Sequence, residues 1–230
     1  MRLLLFMTLS AACVPLAANA IVNGRFATDP FLRGVVKVND DCTGALIGNK
    51  CVLTAHHCFP KNENSLGEVM IPEFKDFVVV QSSEKSKIVS SFSPDYSESH
   101  CYDIGIAMLS ESHHMGYNLT KYAVRRNFGL AGWGFMGDQT VPKTLQFIQY
   151  PVRAKYTREG ILLPVADGVS GSAFHDSGGP LFACDYDKCF IVGVVNGKSS
   201  DSTLLKTKHV FCDVRSNWEW IQETLKAHCF

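Results

Sequence analysis

An all-β fold is predicted by three observations. After residue 20 the chain is a series of short apolar runs: FLRGVVKV (31–38), GALIG (44–48), KCVLTA (50–55), FVVVQ (77–81), KIVSSF (87–92), DIGIAML (103–109), LQFIQYPV (145–152), PLFAC (180–184), CFIVGVV (189–195) and KHVFCDV (208–214). They are rich in Val, Ile, Leu and Phe and are bounded by Gly, Asn, Asp, Ser or Pro, which is how strands separated by turns read. No long amphipathic helix falls between them, so the crossovers of a parallel α/β sheet are missing and a barrel or sandwich is expected. The exception is the end, WEWIQETLKAHCF, where Trp218, Ile221 and Leu225 have helical spacing and Asn217 or Ser216 can cap.

The first twenty residues read as an export leader. Arg2 supplies a positive charge, an apolar stretch follows, and Ala18-Asn19-Ala20 is an A-x-A cleavage site. The stretch is short and interrupted by Pro15, so it does not suit a membrane span, and no later segment is long enough. The mature chain is expected to be 21–230, secreted or periplasmic, with no membrane partner after cleavage. Cys13 in LSAAC loosely resembles a lipid-attachment site, although Ser10 fits that pattern poorly.

With 46% hydrophobic residues the chain can bury a substantial core. Its 22 basic and 22 acidic residues balance, which gives no electrostatic case for nucleic acid or an anionic membrane. Without the leader, eight of the nine cysteines remain: 42, 51, 58, 101, 184, 189, 212 and 229. An even number in an exported chain suggests disulfides. Zinc is the competing reading, but the spacings lack the tight C-x2-C pairs of structural zinc sites. No metal or other cofactor is expected. Cys184 and Cys189 flank DYDK, a turn between two apparent strands, and are expected to pair.

The polar stretch SESHHMGYNLTKYAV, about 110–124, reads as a connector that divides the mature chain into halves at 21–118 and 119–230. His113-His114 reads as a solvated loop pair rather than a metal site. Asn118-Leu119-Thr120 is a glycosylation sequon, relevant in a eukaryotic host.

Three blocks carry the chemistry: CVLTAHHC (51–58), YDIGIAML (102–109) and HDSGGP (175–180). Asp-Ser-Gly-Gly-Pro alone is a turn composition. A nucleophilic serine also needs a base, an orienting acid and oxyanion donors, and here a histidine and an aspartate precede it at wide intervals. Together the blocks resemble the signatures of the chymotrypsin-like (trypsin-like) serine proteases. Ile21-Val22-Asn23-Gly24, CTGALIGNKCVLTA, AGWG at 131–134 and the final tryptophan-bearing helix also match, so the resemblance covers 21–230. An esterase of α/β-hydrolase type fails on motif and order.

The resemblance implies two packed six-stranded antiparallel β-barrels with a short C-terminal helix and an active site between the barrels. It implies His57, rather than His56, as base, Asp103 as its orienting acid and Ser177 as nucleophile. The backbone N–H groups of His175 and Ser177 would form the oxyanion hole. Cys42–Cys58 would be a disulfide, leaving Cys51, Cys101, Cys212 and Cys229 with three possible connectivities. Ile21, released by leader cleavage, would pair with Asp176.

The chain departs from the pattern in two places. His175 stands where the family has glycine, in the oxyanion hole. Gly171 stands where trypsin-like members carry the aspartate that binds Lys or Arg, and Ala173 removes a common pocket cysteine. The opposite pocket wall reads Asn196-Gly197-Lys198, with His209 nearby. A neutral pocket is expected, or one favouring an acidic side chain if Lys198 or His209 turns inward. The expected function is a secreted, monomeric serine endopeptidase without trypsin specificity, acting on proteins or peptides. The competing expectation is a weak or inactive homologue that acts as a binding or regulatory protein.

Overall fold

The computed structural model describes residues 21, 24–60, 65–95, 101–123, 127–134, 140–150, 154–157, 160–164, 171–185, 188–197 and 208–230. Residues 1–20, read above as a leader and containing Cys13, and Lys198 lie outside them. Six antiparallel strands close a barrel in the first half: Val35–Val38, Cys42–Ile47, Cys51–Thr54, Gly105–Leu109, Lys85–Phe92 and Glu68–Met70. Alternation along Lys85–Phe92 places Ser86 and Ile88 inward. Cys42–Ile47 and Cys51–Thr54 are buried throughout, because one face fills the barrel and the other packs against neighbouring elements.

The second half is an eight-stranded sheet. Six strands, Gln146–Tyr150, Phe128–Gly132, Pro180–Asp185, Lys188–Gly197, Lys208–Asp213 and Ile161–Pro164, run in that order. The two-residue strands Arg25–Phe26 and Lys155–Tyr156 flank them at the edges. Six strands thus make up the body of each half, as expected; among the described residues the first set closes on itself and the second is an open sheet. Arg25–Phe26 pairs with Phe147 and Gln146, so this early segment belongs to the second sheet. Ile21 is fully buried there among Phe128, Leu130, Leu181 and Phe211.

Another correction falls at FLRG. Pro30–Gly34 is a 3-10 turn, started by Asp29, whose carboxylate accepts from the Phe31 N–H at 2.9 Å; the strand begins only at Val35. Proline near the first turn with an Asx cap before it suits a helical start better than a strand. FVVVQ likewise shortens to Val78–Val80, since Phe77 has φ 65° and lies outside the strand.

The halves meet over Trp133, which is fully buried and donates its indole N–H to the Val35 carbonyl at 3.0 Å. The C-terminal helix spans Trp218–His228 and buries Ile221 and Leu225. Asn217 occupies the cap position without capping; its amide instead donates to the Asp213 carbonyl at 3.0 Å.

Four disulfides brace this frame: Cys42–Cys58, Cys51–Cys229, Cys101–Cys212 and Cys184–Cys189. Cys184 and Cys189 are directly opposed in a hairpin. Cys51–Cys229 ties the end of the helix to the first barrel, and Cys101–Cys212 joins the approach to Asp103 to the second sheet. No helix among the described residues is long and apolar enough to cross a membrane.

Candidate active site

The strand Cys51–Thr54 runs into a 3-10 turn, His56–Cys58. Within it His57 Nδ1 lies 2.7 Å from Asp103 Oδ2, and the His57 backbone N–H donates to Asp103 Oδ1 at 2.9 Å. Two contacts to one carboxylate fix both the ring and the loop. With Nδ1–H donating, Nε2 is left as the proton acceptor. The carboxylate hydrogen bond raises the His57 pKa above its ordinary value against the opposing effect of burial, and the Asp103 charge adds to the rise. His56 turns elsewhere, its ring edge-on to Phe59 at 6.2 Å.

Ser177 comes to this loop from the other half. Its carbonyl accepts from the Thr43 N–H at 2.9 Å and lies 3.7 Å from Cys58 Sγ, a contact rather than a hydrogen bond because that sulfur is in the disulfide. His57, Cys42 and Cys58 place their ligand-type atoms within 4.8 Å of one another, but the two sulfurs are joined, so this trio offers no metal a ligand set. Among the described residues Ser177 Oγ makes no hydrogen bond to His57; in substrate-free enzymes such contacts often tighten only with substrate bound. Gly178 follows at φ 81°, and a Cβ there would stand 2.1 Å from Thr54 Oγ1, so the sharp turn after the serine requires glycine.

Residues Asp41 to Thr43 hold the segment before the serine. Thr43 Oγ1 donates to the His175 carbonyl at 2.9 Å and accepts from the Trp133 N–H at 3.0 Å. His175 itself has φ 73°, a left-handed conformation unusual for a residue with a Cβ. Its Nε2 lies 3.6 Å from Asp41 Oδ1. Thr43 and Asp41 were not singled out in the sequence; a polar residue in an otherwise apolar strand was the only available signal.

The Trypsin family model matches residues 21–221. The chain belongs to the trypsin family. Mannan-binding lectin serine protease 1 of Mus musculus is 24% identical over 248 residues, covering 88% of this chain and 35% of that protein. The protein of the same description from Rattus norvegicus is 24% identical over 250 residues, with the same shares. The chain thus spans about a third of the length of these curated relatives. Among solved structures, an atomic-resolution structure of HBP is similar at TM-score 0.67 and 20% identity, covering 90% of this chain and 97% of that chain. Human heparin binding protein is similar at TM-score 0.68 and 19% identity, with the same coverage. At these identities the structures establish the fold, two β-barrel units with a short terminal helix.

Asp176, just before Ser177, is fully buried and accepts from the N–H groups of Ala173 at 2.8 Å and Gly134 at 2.9 Å. Burial dominates over these two bonds and raises its pKa to about 7. The chain is continuous through Ala20–Ile21, so the Ile21 nitrogen is here an amide, with its side chain already seated in the second sheet.

Of the positions expected to form the pocket, Gly171, Asn196 and His209 are described, and none is an acid. Gly171 has φ 151°, and a Cβ there would stand 1.8 Å from His209 Nε2. The His209 ring therefore occupies the space into which a side chain at 171 would project, and its Nδ1 lies 2.9 Å from Ser172 Oγ. Asn196 donates to Cys101 Sγ at 3.2 Å, toward the approach to Asp103.

Proposed function

We propose that the protein is an exported serine endopeptidase whose two halves, 21–118 and 119–230, supply His57 with Asp103 and Ser177 respectively. Ser177 Oγ attacks the scissile carbonyl while His57 Nε2 takes its proton. The N–H groups of His175 and Ser177 receive the developing oxyanion. His57 then protonates the leaving amine, and water releases the acyl group by the same proton path. Leader cleavage after Ala20 frees the Ile21 ammonium, which enters beside Asp176 and holds that carboxylate ionised. The Ile21 side chain is already buried in the second sheet.

The observation that carries this reading is the double contact of Asp103 to His57 in a loop whose disulfide touches the backbone of Ser177. The pocket supports a specificity other than trypsin's. A buried Lys or Arg side chain needs a compensating charge, and Gly171 beneath the His209 ring supplies none. The test is labelling of the 21–230 protein with a fluorophosphonate probe. Wild type is expected to label stoichiometrically and Ser177→Ala not at all, with unchanged circular dichroism. Equal labelling of both would remove Ser177 from the mechanism, and a folded wild type that never labels would favour a binding role on the same scaffold.

A further inference from the structure

We propose that Asp41 is a positioning residue for the oxyanion hole and acts through the imidazole of His175. This rests on the serine-hydrolase reading above. A glycine adopts φ near 73° freely, whereas the Cβ of His175 disfavours it, so something must hold the residue there. Two anchors from one short segment contribute. Thr43 Oγ1 bonds the His175 carbonyl, and Asp41 Oδ1 faces the ring at Nε2. The ring is only 16% exposed, so it is packed in one place. With carbonyl carbon, Cα and Cβ of His175 held, tetrahedral geometry places its nitrogen, and φ alone then aims the N–H. Between Asp41 and Thr43, Cys42 is bonded to Cys58 beside His57. The segment that anchors His175 thereby also carries the disulfide to the histidine loop.

Asp41 is 81% exposed, so its contact contributes little to overall stability. Its loss should appear in turnover, because a misaimed donor loses strength steeply with angle. Loss of a whole hole donor costs about 10²–10³ in rate, and a misaimed one costs less.

The experiment measures kcat and KM of the processed 21–230 enzyme on a peptide ester at fixed pH. Asp41→Asn is expected to lower kcat about 5- to 30-fold, well inside that limit, with KM moved less than about twofold. Asp41→Glu should recover part of the loss. In a His175→Gly background the effect of Asp41→Asn should vanish, since glycine needs no anchor. Unchanged kcat in Asp41→Asn, a change confined to KM, or an equal effect in the glycine background would each overturn the proposal. If the parent enzyme is inert, the serine-hydrolase reading fails, and the 15N–1H shift of the His175 amide then decides about Asp41. That shift should move in Asp41→Asn, and a stationary resonance would refute the positioning role.

Discussion

Thr43 donates its backbone N–H to the carbonyl of Ser177 at 2.9 Å, across the boundary between the two halves. Its hydroxyl holds His175 two residues earlier, and its own carbonyl accepts from Thr54 Oγ1 at 2.8 Å. A single buried threonine therefore links the strand leading to His57 with the loop bearing the proposed nucleophile.

Thr43→Val keeps the shape and removes the hydroxyl, leaving the His175 carbonyl and the Trp133 N–H without that partner. A buried group that loses its bond costs about 1–3 kcal/mol. Urea denaturation should show a loss in that range. Turnover should fall further than stability explains, because the hole loses an anchor. A variant with parental kcat would show that Thr43 serves folding alone.

Activity should follow the titration of His57. The base works neutral, so kcat/KM rises with pH through a His57 pKa that its bond to Asp103 holds above the ordinary 6.5. Asp103→Asn should move that limb to lower pH and cut kcat by about 10⁴-fold, the loss seen in the type case. The linked stability runs the other way. A raised folded-state pKa gives stability fully present below the unfolded pKa of His57 and lost as pH rises through the folded value. A limb that stays in place in Asp103→Asn would assign it to another group.

On the proposed reading, Asp176 makes leader removal a stability switch. Its folded pKa is about 7, above the roughly 4 of an unfolded aspartate. Between those values the uncleaved folded chain holds a proton that the unfolded chain has released, so its stability falls as pH rises from about 4 to about 7. After cleavage the Ile21 ammonium favours the ionised carboxylate and the slope should flatten or reverse. Melting temperatures against pH for a Ser177→Ala chain, with and without a non-cleavable extension before Ile21, measure this. Parallel curves would separate Ile21 from Asp176.

The pocket prediction is read with otherwise identical peptides carrying Arg, Phe, Leu, Ala or Glu before the scissile bond. Arg should be the poorest, since no acid faces the space above Gly171 among the described residues. His209→Gly opens that space and should raise cleavage after the larger apolar residues relative to Ala. If Glu leads in the parent and not in His209→Gly, the imidazole pairs with an acidic side chain. Clear preference for Arg would mean that an acid from a neighbouring loop reaches in.

Much of the frame was legible because local pattern and burial agree. The runs that became Cys51–Thr54 and Gly105–Leu109 lie next to each other in the barrel and alternate or bury as their composition predicts. The helix followed from the spacing of Trp218, Ile221 and Leu225, of which Ile221 and Leu225 are buried, with Thr224 beside them. The misreadings have physical sources. FLRG is apolar enough for a strand, but its direction is set by the Asp29 cap and Pro30, local chemistry that a hydrophobic count overlooks. Arg25–Phe26 joins the distant second sheet, and pairing of such separation leaves no trace in spacing. The partners of Cys51 and Cys101 were open for the same reason. At the site, the blocks pointed to His57, Asp103 and Ser177, while Thr43 and Asp41 act through contacts made only when the two halves meet.

The disulfides Cys51–Cys229 and Cys101–Cys212 both run from before the 110–124 connector to after it. A protease that digests its own kind would therefore gain nothing by a single cut there. The two polypeptides would remain one covalent molecule, with the same mass plus one water and the same migration on a non-reducing gel. Such nicking would come to light only after reduction, as two fragments. A preparation that looks intact by size could therefore be a two-chain form, its active-site groups divided between the chains but never released from each other.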